Sequence, residues 1–176
     1  MINCQKYNSS LRGFSLVEIM VYIALLGMTS IFITNSLIQI ANAYNRARAE
    51  REVISNGRLI LETINKSVEQ AQEVYGPTGG FNNDAGQLSL ATVVGADAEH
   101  TTIFADYYLD NGRIFLRQEG QSALPISAAT VRVSKFRLER IIQGLNREAV
   151  KITLQVDFVP PKYASSVTLN STTALR

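Results

Sequence analysis

Hydrophobic residues are concentrated near the N-terminus of the chain. Residues 14–34 read FSLVEIMVYIALLGMTSIFIT and contain a single charged side chain, that of Glu18. As an α-helix they would span about 31 Å at roughly 1.5 Å per residue, which matches the hydrocarbon core of a bilayer. The pattern predicts a membrane-spanning helix over residues 14–42. The segment before it, residues 1–13, is polar, and its charged side chains are Lys6 and Arg12.

This apolar run differs from a secretory signal, whose apolar core has about 7–15 residues. The run here is longer. Cys4 has no apolar stretch before it, so a lipoprotein anchor is excluded as well. Hydropathy alone favours a plain single-pass anchor.

Glu18 is costly at this position. A carboxylate inside an apolar helix costs on the order of 2–3 kcal/mol near the bilayer centre and less near the surface. Two interpretations remain open at this point. Either the side chain extends to the nearby headgroups, or it pairs with a cationic partner.

A second helical pattern follows the apolar run. Residues 44–74 contain no proline, and apolar or small residues recur there at steps of three and four. Such steps place the residues on one stripe of a helix, which we interpret as the face that covers a sheet. The stripe consists of Val53, Gly57, Leu61, Ile64, Val68, Ala71 and Tyr75. The dipeptide at residues 76–77, Gly-Pro, is expected to end the helix.

The pattern then changes to that of strands. Residues 77–86 have the composition of a loop, and residues 87–94 and 101–109 are predicted strands. Residues 110–112, Asp-Asn-Gly, predict a tight turn into a further strand over residues 113–118.

Three more strands are predicted after this hairpin. Residues 130–141 shift their inward phase near residues 134–135, which indicates a β-bulge. A turn at residues 144–146 leads into residues 148–158, which alternate strictly between apolar and polar side chains. Residues 166–174 form the last strand. The fold class is therefore α+β: a long N-terminal transmembrane helix that extends into a globular head, residues 43–176, with an antiparallel β-sheet.

Composition narrows the possible chemistry. The 176 residues are 46% hydrophobic and 18% charged, which is typical of a folded chain. Cys4 and His100 are the only cysteine and histidine. This excludes an intramolecular disulfide, a zinc site built from several such ligands and a Cys–His catalytic pair. A net charge of +2 is too small to indicate the basic surface that nucleic-acid-binding proteins typically have.

Candidate sites in the head are weak. Asn82, Asn83 and Asp84 offer oxygen ligands for Ca²⁺, but they lack the D-x-D-x-D-G spacing, and a solvated loop is the preferred interpretation. Asp106 and Asp110 would need burial in a cleft to act in acid–base catalysis, and turn chemistry explains Asp110 better. We therefore expect no catalytic residue, no metal site and no cofactor.

Residues 13–19, GFSLVEI, resemble the processing motif of type IV prepilins, because they follow a short basic leader and open an apolar helix. In that family a membrane aspartic peptidase, the prepilin peptidase, cuts after the glycine, and the new N-terminus is methylated. The resemblance implies cleavage between Gly13 and Phe14 and N-methylation of Phe14. Glu18 then becomes the fifth residue of the mature chain.

The resemblance also implies a partner for Glu18. In the family, this glutamate is thought to meet the N-terminal amine of a neighbouring subunit. An ion pair in a low dielectric is strong only when both members are present, so it would set the register between subunits. Packing is expected from apolar and small residues of the same helix. These are Leu16, Ile19, Ile23, Leu26, Gly27 and Ser30.

Within the family, the residues favour a minor pilin or pseudopilin. Loss of the leader removes Cys4 and two basic side chains, which leaves 17 − 2 = 15 basic against 15 acidic side chains and no cysteine. Many major pilins have a C-terminal disulfide and a proline in the N-terminal helix. Residues 14–75 contain no proline. The late part, from Pro125 through the alternating residues 150–158, is similar to J-like pseudopilins and W-like minor pilins.

The implied function is assembly or priming of a type IV pilus or a type II secretion-like filament. The implied partners are the prepilin peptidase, other pilins or pseudopilins through the N-terminal helix, and lipid of the bacterial inner membrane; direct nucleic-acid binding is not expected. The chain would cross that membrane once with its head outside the cytoplasm, and would reach the pilus or pseudopilus on assembly. Basic residues are denser after the apolar run, at Arg46, Arg48 and Arg51, so this orientation depends on the processing motif and not on the positive-inside count.

Two other functions remain open. One is a single-pass, membrane-anchored extracytoplasmic binding domain that happens to begin like a pilin. The other, less favoured, is an enzyme on a membrane tether. A mass spectrum of the protein's N-terminus distinguishes the filament subunit from both alternatives, because only the filament subunit is expected to begin at a methylated Phe14.

Overall fold

The computed structural model describes residues 13–93, 102–143 and 147–175. The chain separates into two compact units, Met1–Ala43 and Tyr44–Arg176. Helix α1, Leu16–Gln70, contributes to both units, and the described strands belong to the second. The predicted α+β class is confirmed.

The first unit is an exposed apolar helix. Within the described residues, α1 is the one helix long and apolar enough to cross a membrane, and none of its most apolar stretch is buried in the protein. Without proline, its peptide groups bond to one another along the helix, as a bilayer requires. Hydroxyls in this stretch also bond within the helix: Thr29 Oγ1 donates to the Leu26 carbonyl (3.0 Å) and Thr34 Oγ1 to the Ser30 carbonyl (2.9 Å).

The second unit contains two antiparallel sheets. The first has the strand order β1-β2-β3-β4-β5, and the second has the order β6-β7-β8. The strands are β1 Ala71–Val74, β2 Gln87–Thr92, β3 Ile103–Asp110, β4 Arg113–Gln118, β5 Leu124–Pro125, β6 Val131–Gln143, β7 Arg147–Phe158 and β8 Ser166–Ala174. A short 3₁₀-helix, Pro161–Tyr163, connects β7 to β8.

The predicted C-terminal end of the helix was wrong. The helix was expected to continue to the Gly-Pro pair at residues 76–77, but it ends at Gln70, and Ala71–Val74 form β1. Ala71 and Val74 stay buried in the strand, so burial alone does not distinguish the two conformations. Pairing with β2 decides between them, since it satisfies peptide groups that a helix end leaves open. Tyr75 is 38% exposed and does not belong to the stripe.

The remainder of the predicted stripe is confirmed. Val53, Gly57, Leu61, Ile64 and Val68 are buried, and Ala49 and Ile60 extend the same face. This face packs in one core with residues from both sheets. The largest core side chains from the strands are Leu88, Leu90, Tyr107, Ile114, Phe136, Leu138, Ile152 and Leu154.

Gly57 brings α1 close to the second sheet. A Cβ atom at this position would lie 2.7 Å from Cδ1 of Leu169 and 3.6 Å from Cγ2 of Val156. Ordinary carbon–carbon contacts are about 3.5–4.0 Å. The missing side chain therefore permits the approach of helix to sheet.

The predicted β3–β4 hairpin is confirmed. Asn111 and Gly112 both have positive φ, 50° and 75°, as a two-residue turn of type I′ requires. The Gly112 carbonyl accepts a hydrogen bond from the Val133 N–H (2.8 Å), which joins the turn to β6 of the second sheet.

The last three strands also agree with the sequence pattern. The register of β6 against β7 shifts between Val133 and Lys135, where the bulge was predicted. The apolar residues of β7 from Val150 to Val156 are buried in alternation, and β8 has the predicted bounds. The predicted turn at residues 144–146 and the start of the strand predicted at residue 101 lie outside the described residues. The sequence pattern did not predict strand β1, strand β5 or the division of the strands into two sheets.

Candidate functional site

The predicted cleavage site lies in a short non-helical segment. Gly13, Phe14 and Ser15 precede α1, and the Ile19 N–H donates to the Ser15 carbonyl (3.2 Å) in the first helical turn. At Gly13 no atom of the described residues lies within 4 Å of the place that a Cβ would occupy. The described part of the chain therefore leaves room for a side chain at this position.

Glu18 lies in the first turn of α1 and is exposed. The N-terminus of a helix carries a partial positive charge, which favours a carboxylate there. Among the described residues, none of the ion pairs includes Glu18. It follows Phe14 by four residues in the chain. The carboxylate is thus close to the predicted new amine along the chain and lies at the surface, where a second chain could reach it.

The helix surface around Glu18 is apolar. Leu16, Ile23 and Leu26 are 76%, 67% and 69% exposed. Gly27 has no atom within 4 Å of the place where a Cβ would lie, so it leaves a shallow depression on this surface. The exposed apolar residues of this stretch are Phe14, Leu16, Val17, Ile19, Met20, Val21, Tyr22, Ile23, Leu25, Leu26, Met28, Ile31, Phe32 and Ile33. Large exposed apolar surfaces usually mark contact with lipid or with other protein.

The loop proposed as a weak Ca²⁺ candidate has another role in the structure. The Asp84 carboxylate lies 3.4 Å from Lys135 Nζ and 3.6 Å from Arg137 Nη1. Asn83 Oδ1 accepts a hydrogen bond from the Ala85 N–H (3.4 Å), and Asn82 has a positive φ of 61°. The carboxylate is neutralised by two cations, so this geometry favours a loop fastened to β6 over a cation site.

Asp106 and Asp110 do not form a catalytic pair. Asp106 is bonded to Arg117 at 3.0 Å across β3 and β4, and Asp110 lies at the hairpin turn. Four residues along a strand separate them by about 13 Å. His100, the single histidine of the sequence, lies outside the described residues.

Polar side chains fix α1 to both sheets, and the sequence pattern did not single them out. Ser67 Oγ and the Tyr107 hydroxyl are 2.6 Å apart, and burial raises the pKa of Tyr107. On the other side, Asn65 Nδ2 donates to Ser171 Oγ, and its Oδ1 accepts from Thr173 Oγ1, both at 2.8 Å. These residues orient the helix on the sheets, since each buried polar group needs a partner.

The outer face of the second sheet is charged. Lys151 Nζ lies 2.8 Å from Glu139 Oε2, and Arg137 Nε lies 3.4 Å from Glu139 Oε1. The hydrogen bond and charge of Lys151, together with Arg137, lower the pKa of Glu139. This face is therefore charged and solvated, which is typical of the side of a sheet that faces away from the core.

Comparison of the chain with protein-family models, with curated proteins and with solved structures found no match. A single long apolar N-terminal helix followed by a head of β-sheets is compatible with a pilin-like fold. It is also weakly compatible with a single-pass membrane anchor. Of the predicted functional residues, Gly13 and Phe14 lie just before the apolar helix, and Glu18 lies in its first turn.

Proposed function

We propose that this protein is a minor pilin or pseudopilin, a structural subunit that assembles or primes a type IV pilus or a type II secretion-like filament. One observation carries the proposal: the sequence GFSLVE leads directly into a helix whose apolar side chains are exposed and whose single carboxylate, Glu18, lies in its first turn. A plain anchor has no need of this carboxylate, which makes insertion more costly.

Processing by the prepilin peptidase is the first step. Peptidases bind an extended backbone in their clefts, and residues 13–15 are outside the helix. Because the described residues leave room for a side chain at position 13, we assign the requirement for glycine to the enzyme, whose cleft accepts a residue without a side chain. Cleavage would leave Phe14 as the N-terminal residue, and its amine would then be methylated.

Assembly is the second step. The cleaved chain has a positive amine in the apolar phase, and the Glu18 carboxylate of a neighbouring subunit supplies the opposite charge. Leaving one member of such a buried pair without the other costs about 3–5 kcal/mol. The pair therefore fixes the register of two helices, and the exposed apolar surface of residues 14–40 supplies the packing.

In this proposal the head is a structural element and not an enzyme. The subunit is anchored in the bacterial inner membrane before assembly, with the head outside the cytoplasm. Its partners are the peptidase, other pilins or pseudopilins and membrane lipid. No cofactor is part of the proposal.

A pair of glycine variants tests the proposal. Gly13→Val should leave a full-length precursor in the membrane, because a branched side chain blocks the cleft. Gly27→Val adds the same side chain within α1, at a place where no atom of the described residues lies within 4 Å, and should be cut as usual. The measurement is the intact mass of each protein from membranes, with a methylated Phe14 expected at the N-terminus of the cut chain.

The alternative outcome has a definite meaning. If the unmodified chain begins at Met1, or if Gly13→Val is processed normally, the protein is not a processed filament subunit. The membrane-anchored extracytoplasmic binding domain then becomes the better function.

A further inference from the structure

Basic side chains lie at the start of the second unit. Arg46 and Arg48 follow its first residue, Tyr44, and both are exposed. Basic residues are denser here than before the apolar run, which is the reverse of the usual pattern for a head outside the cytoplasm. Neither arginine takes part in the ion pairs among the described residues, so both charges are open to another partner.

The connection between β7 and β8 brings a third basic side chain to the same end of the head. Asn45 Nδ2 donates a hydrogen bond to the Tyr163 hydroxyl (3.1 Å), which fastens the 3₁₀-helix to the start of α1 in this unit. Lys162 is exposed, and its Nζ lies 5.4 Å from the centre of the Tyr163 ring. We call these two segments, residues 44–48 and 161–163, the base of the head.

The base is positively charged even when its neighbours are counted. It contains three basic side chains and no acidic one. Glu50 and Glu52 follow it along α1, and Glu52 Oε1 accepts a hydrogen bond from Thr130 Oγ1 (2.9 Å). In the wider surroundings, residues 44–52 and 159–166, there are four basic and two acidic side chains. The positive charge is therefore concentrated at the base.

The spacing of charges along α1 matches the thickness of a whole bilayer. Arg46 follows Glu18 by 28 residues, and no charged residue lies between them. This length of helix rises about 42 Å, and a bilayer with its headgroups is about 40–45 Å thick. Before assembly the Glu18 carboxylate is least costly in a headgroup layer, and Arg46 then lies in the opposite layer. Glu50 and Glu52 lie roughly 6 and 9 Å further along the helix.

The tyrosines of the base also suit a membrane surface. Tyr44 is 69% exposed, and Tyr163 is partly exposed. Tyrosine is enriched where a membrane meets water, because its ring is apolar and its hydroxyl is polar. Arginine and lysine suit the same depth, since their apolar stems lie along hydrocarbon while their charges stay among the headgroups.

We propose that the base of the head binds the anionic headgroups of the bilayer that holds α1, with Arg46, Arg48 and Lys162 against lipid phosphates. Basic residues next to an anionic membrane surface each add to the attraction. The inference rests on the membrane anchor of the proposed function, and it goes further because it gives the head a lipid site of its own. The basic residues after the apolar run then serve to bind lipid and do not determine orientation.

A lipid surface fits the base better than an acidic protein does. The spacing from Glu18 places Arg46 within a headgroup layer, where phosphates surround it on all sides. A protein partner would have to enter that layer to reach the same side chain. The tyrosines have no need of an acidic partner, whereas a membrane surface accounts for them and for the basic residues together.

The test uses the full-length protein inserted into vesicles at a low ratio of protein to lipid. Because the sequence has no tryptophan, Ala164→Trp supplies a single fluorescent reporter at an exposed position next to Tyr163. The vesicles consist of phosphatidylcholine with or without phosphatidylglycerol, and lipids brominated near the headgroup quench a tryptophan that they touch. We expect strong quenching in the vesicles with phosphatidylglycerol, and weaker quenching at high salt.

Removal of single charges forms the second arm of the test. Arg48→Gln and Lys162→Gln should each lower the ratio of docked to free heads about fivefold. Arg58→Gln is the matched control, since it removes an exposed arginine from the same helix about 15 Å beyond Arg48 and should change nothing. The melting temperature of each variant is measured alongside. If Ala164→Trp unfolds the head, Val159→Trp, an exposed position of the same connection, replaces it.

Alkaline extraction separates failure of the anchor from failure of the lipid site. A chain that alkali removes from the vesicles is not inserted, which overturns the anchor and the lipid site together. An inserted chain that is not quenched, or is quenched equally without phosphatidylglycerol, overturns the lipid site alone and leaves the filament function standing. Loss of all quenching would leave the basic residues to an acidic protein partner.

The remaining outcomes concern a second copy and the expected result. Quenching that changes with the ratio of protein to lipid, and not with phosphatidylglycerol, overturns the proposal in favour of contact between copies of the chain. Quenching that requires phosphatidylglycerol, falls in Arg48→Gln and Lys162→Gln and is unchanged in Arg58→Gln supports it.

Discussion

Replacement of Gly57 by alanine tests the contact between α1 and β8. In a helix, alanine is favoured over glycine by about 1 kcal/mol. Here the added Cβ would lie 2.7 Å from Leu169 Cδ1, so the leucine side chain must move by about 1 Å to restore an ordinary contact. Overpacking of this kind costs about 1–3 kcal/mol. We therefore expect Gly57→Ala to lower the free energy of unfolding by about 0–2 kcal/mol.

The same substitution should change sign when Leu169 is shortened. In a Leu169→Ala background the clashing atom is absent, and the next neighbour, Val156 Cγ2, is at an ordinary 3.6 Å. Gly57→Ala should then raise the free energy of unfolding by about 1 kcal/mol, the helix preference alone. The two effects differ by about 1–3 kcal/mol, which is the coupling energy of the double-mutant cycle.

Urea unfolding of residues 43–176 measures this cycle, with equal m-values required among the variants. Ser55→Ala, an exposed substitution on the same helix, is the control and should have the same effect in both backgrounds. An equal effect of Gly57→Ala with and without the leucine would show that the glycine is not required by the approach of helix to sheet.

Three further predictions concern the anchor, the head and its interior. Glu18→Gln should be inserted and cut like the natural chain but should fail to co-purify with partner pilins, because a buried amine without its carboxylate costs about 3–5 kcal/mol; undiminished co-purification would leave Glu18 as a passive interfacial residue. Residues 43–176 should be soluble and have a melting temperature that reductant does not change, since they contain no cysteine; aggregation until residues 14–42 are restored would contradict the division into anchor and head. Tyr107→Phe should cost about 1 kcal/mol for the lost bond to Ser67. Burial raises the pKa of Tyr107, so the tyrosine of the unfolded chain ionises first as the pH rises above about 10, and the natural protein should lose stability there. The phenylalanine variant should lack this loss when unfolding is measured over a series of alkaline pH values.

Local chemistry explains what the sequence predicted well. The Asn111-Gly112 turn requires two residues that tolerate positive φ, and few sequences other than Asn-Gly provide them. The alternation along β7 determines which face of the strand is buried, because a shift of one residue would expose Val150 and the other apolar residues on its face together. Both features depend on neighbouring residues alone and can be read without the rest of the fold.

Features decided by distant partners could not be predicted. The change from helix to strand after Gln70 depends on pairing with β2, more than a dozen residues later, while Ala71 and Val74 are buried in either conformation. The division into two sheets depends on which strands pair, and alternation does not encode that choice. The role of Glu18 depends on a second chain and remains a prediction.

The contacts of Asn65 also constrain when the head can finish folding. Its partners Ser171 and Thr173 are 106 and 108 residues further along the chain. Synthesis proceeds from the N-terminus, so α1 emerges first and the strand that fixes its flank emerges last. During that interval the apolar stripe of the helix has no completed sheet to cover, and contacts between such distant residues form slowly. A chain that loses even its final strand would therefore keep its long N-terminal helix, yet carry an unfinished head with an uncovered apolar stripe, which chaperones and proteases would encounter.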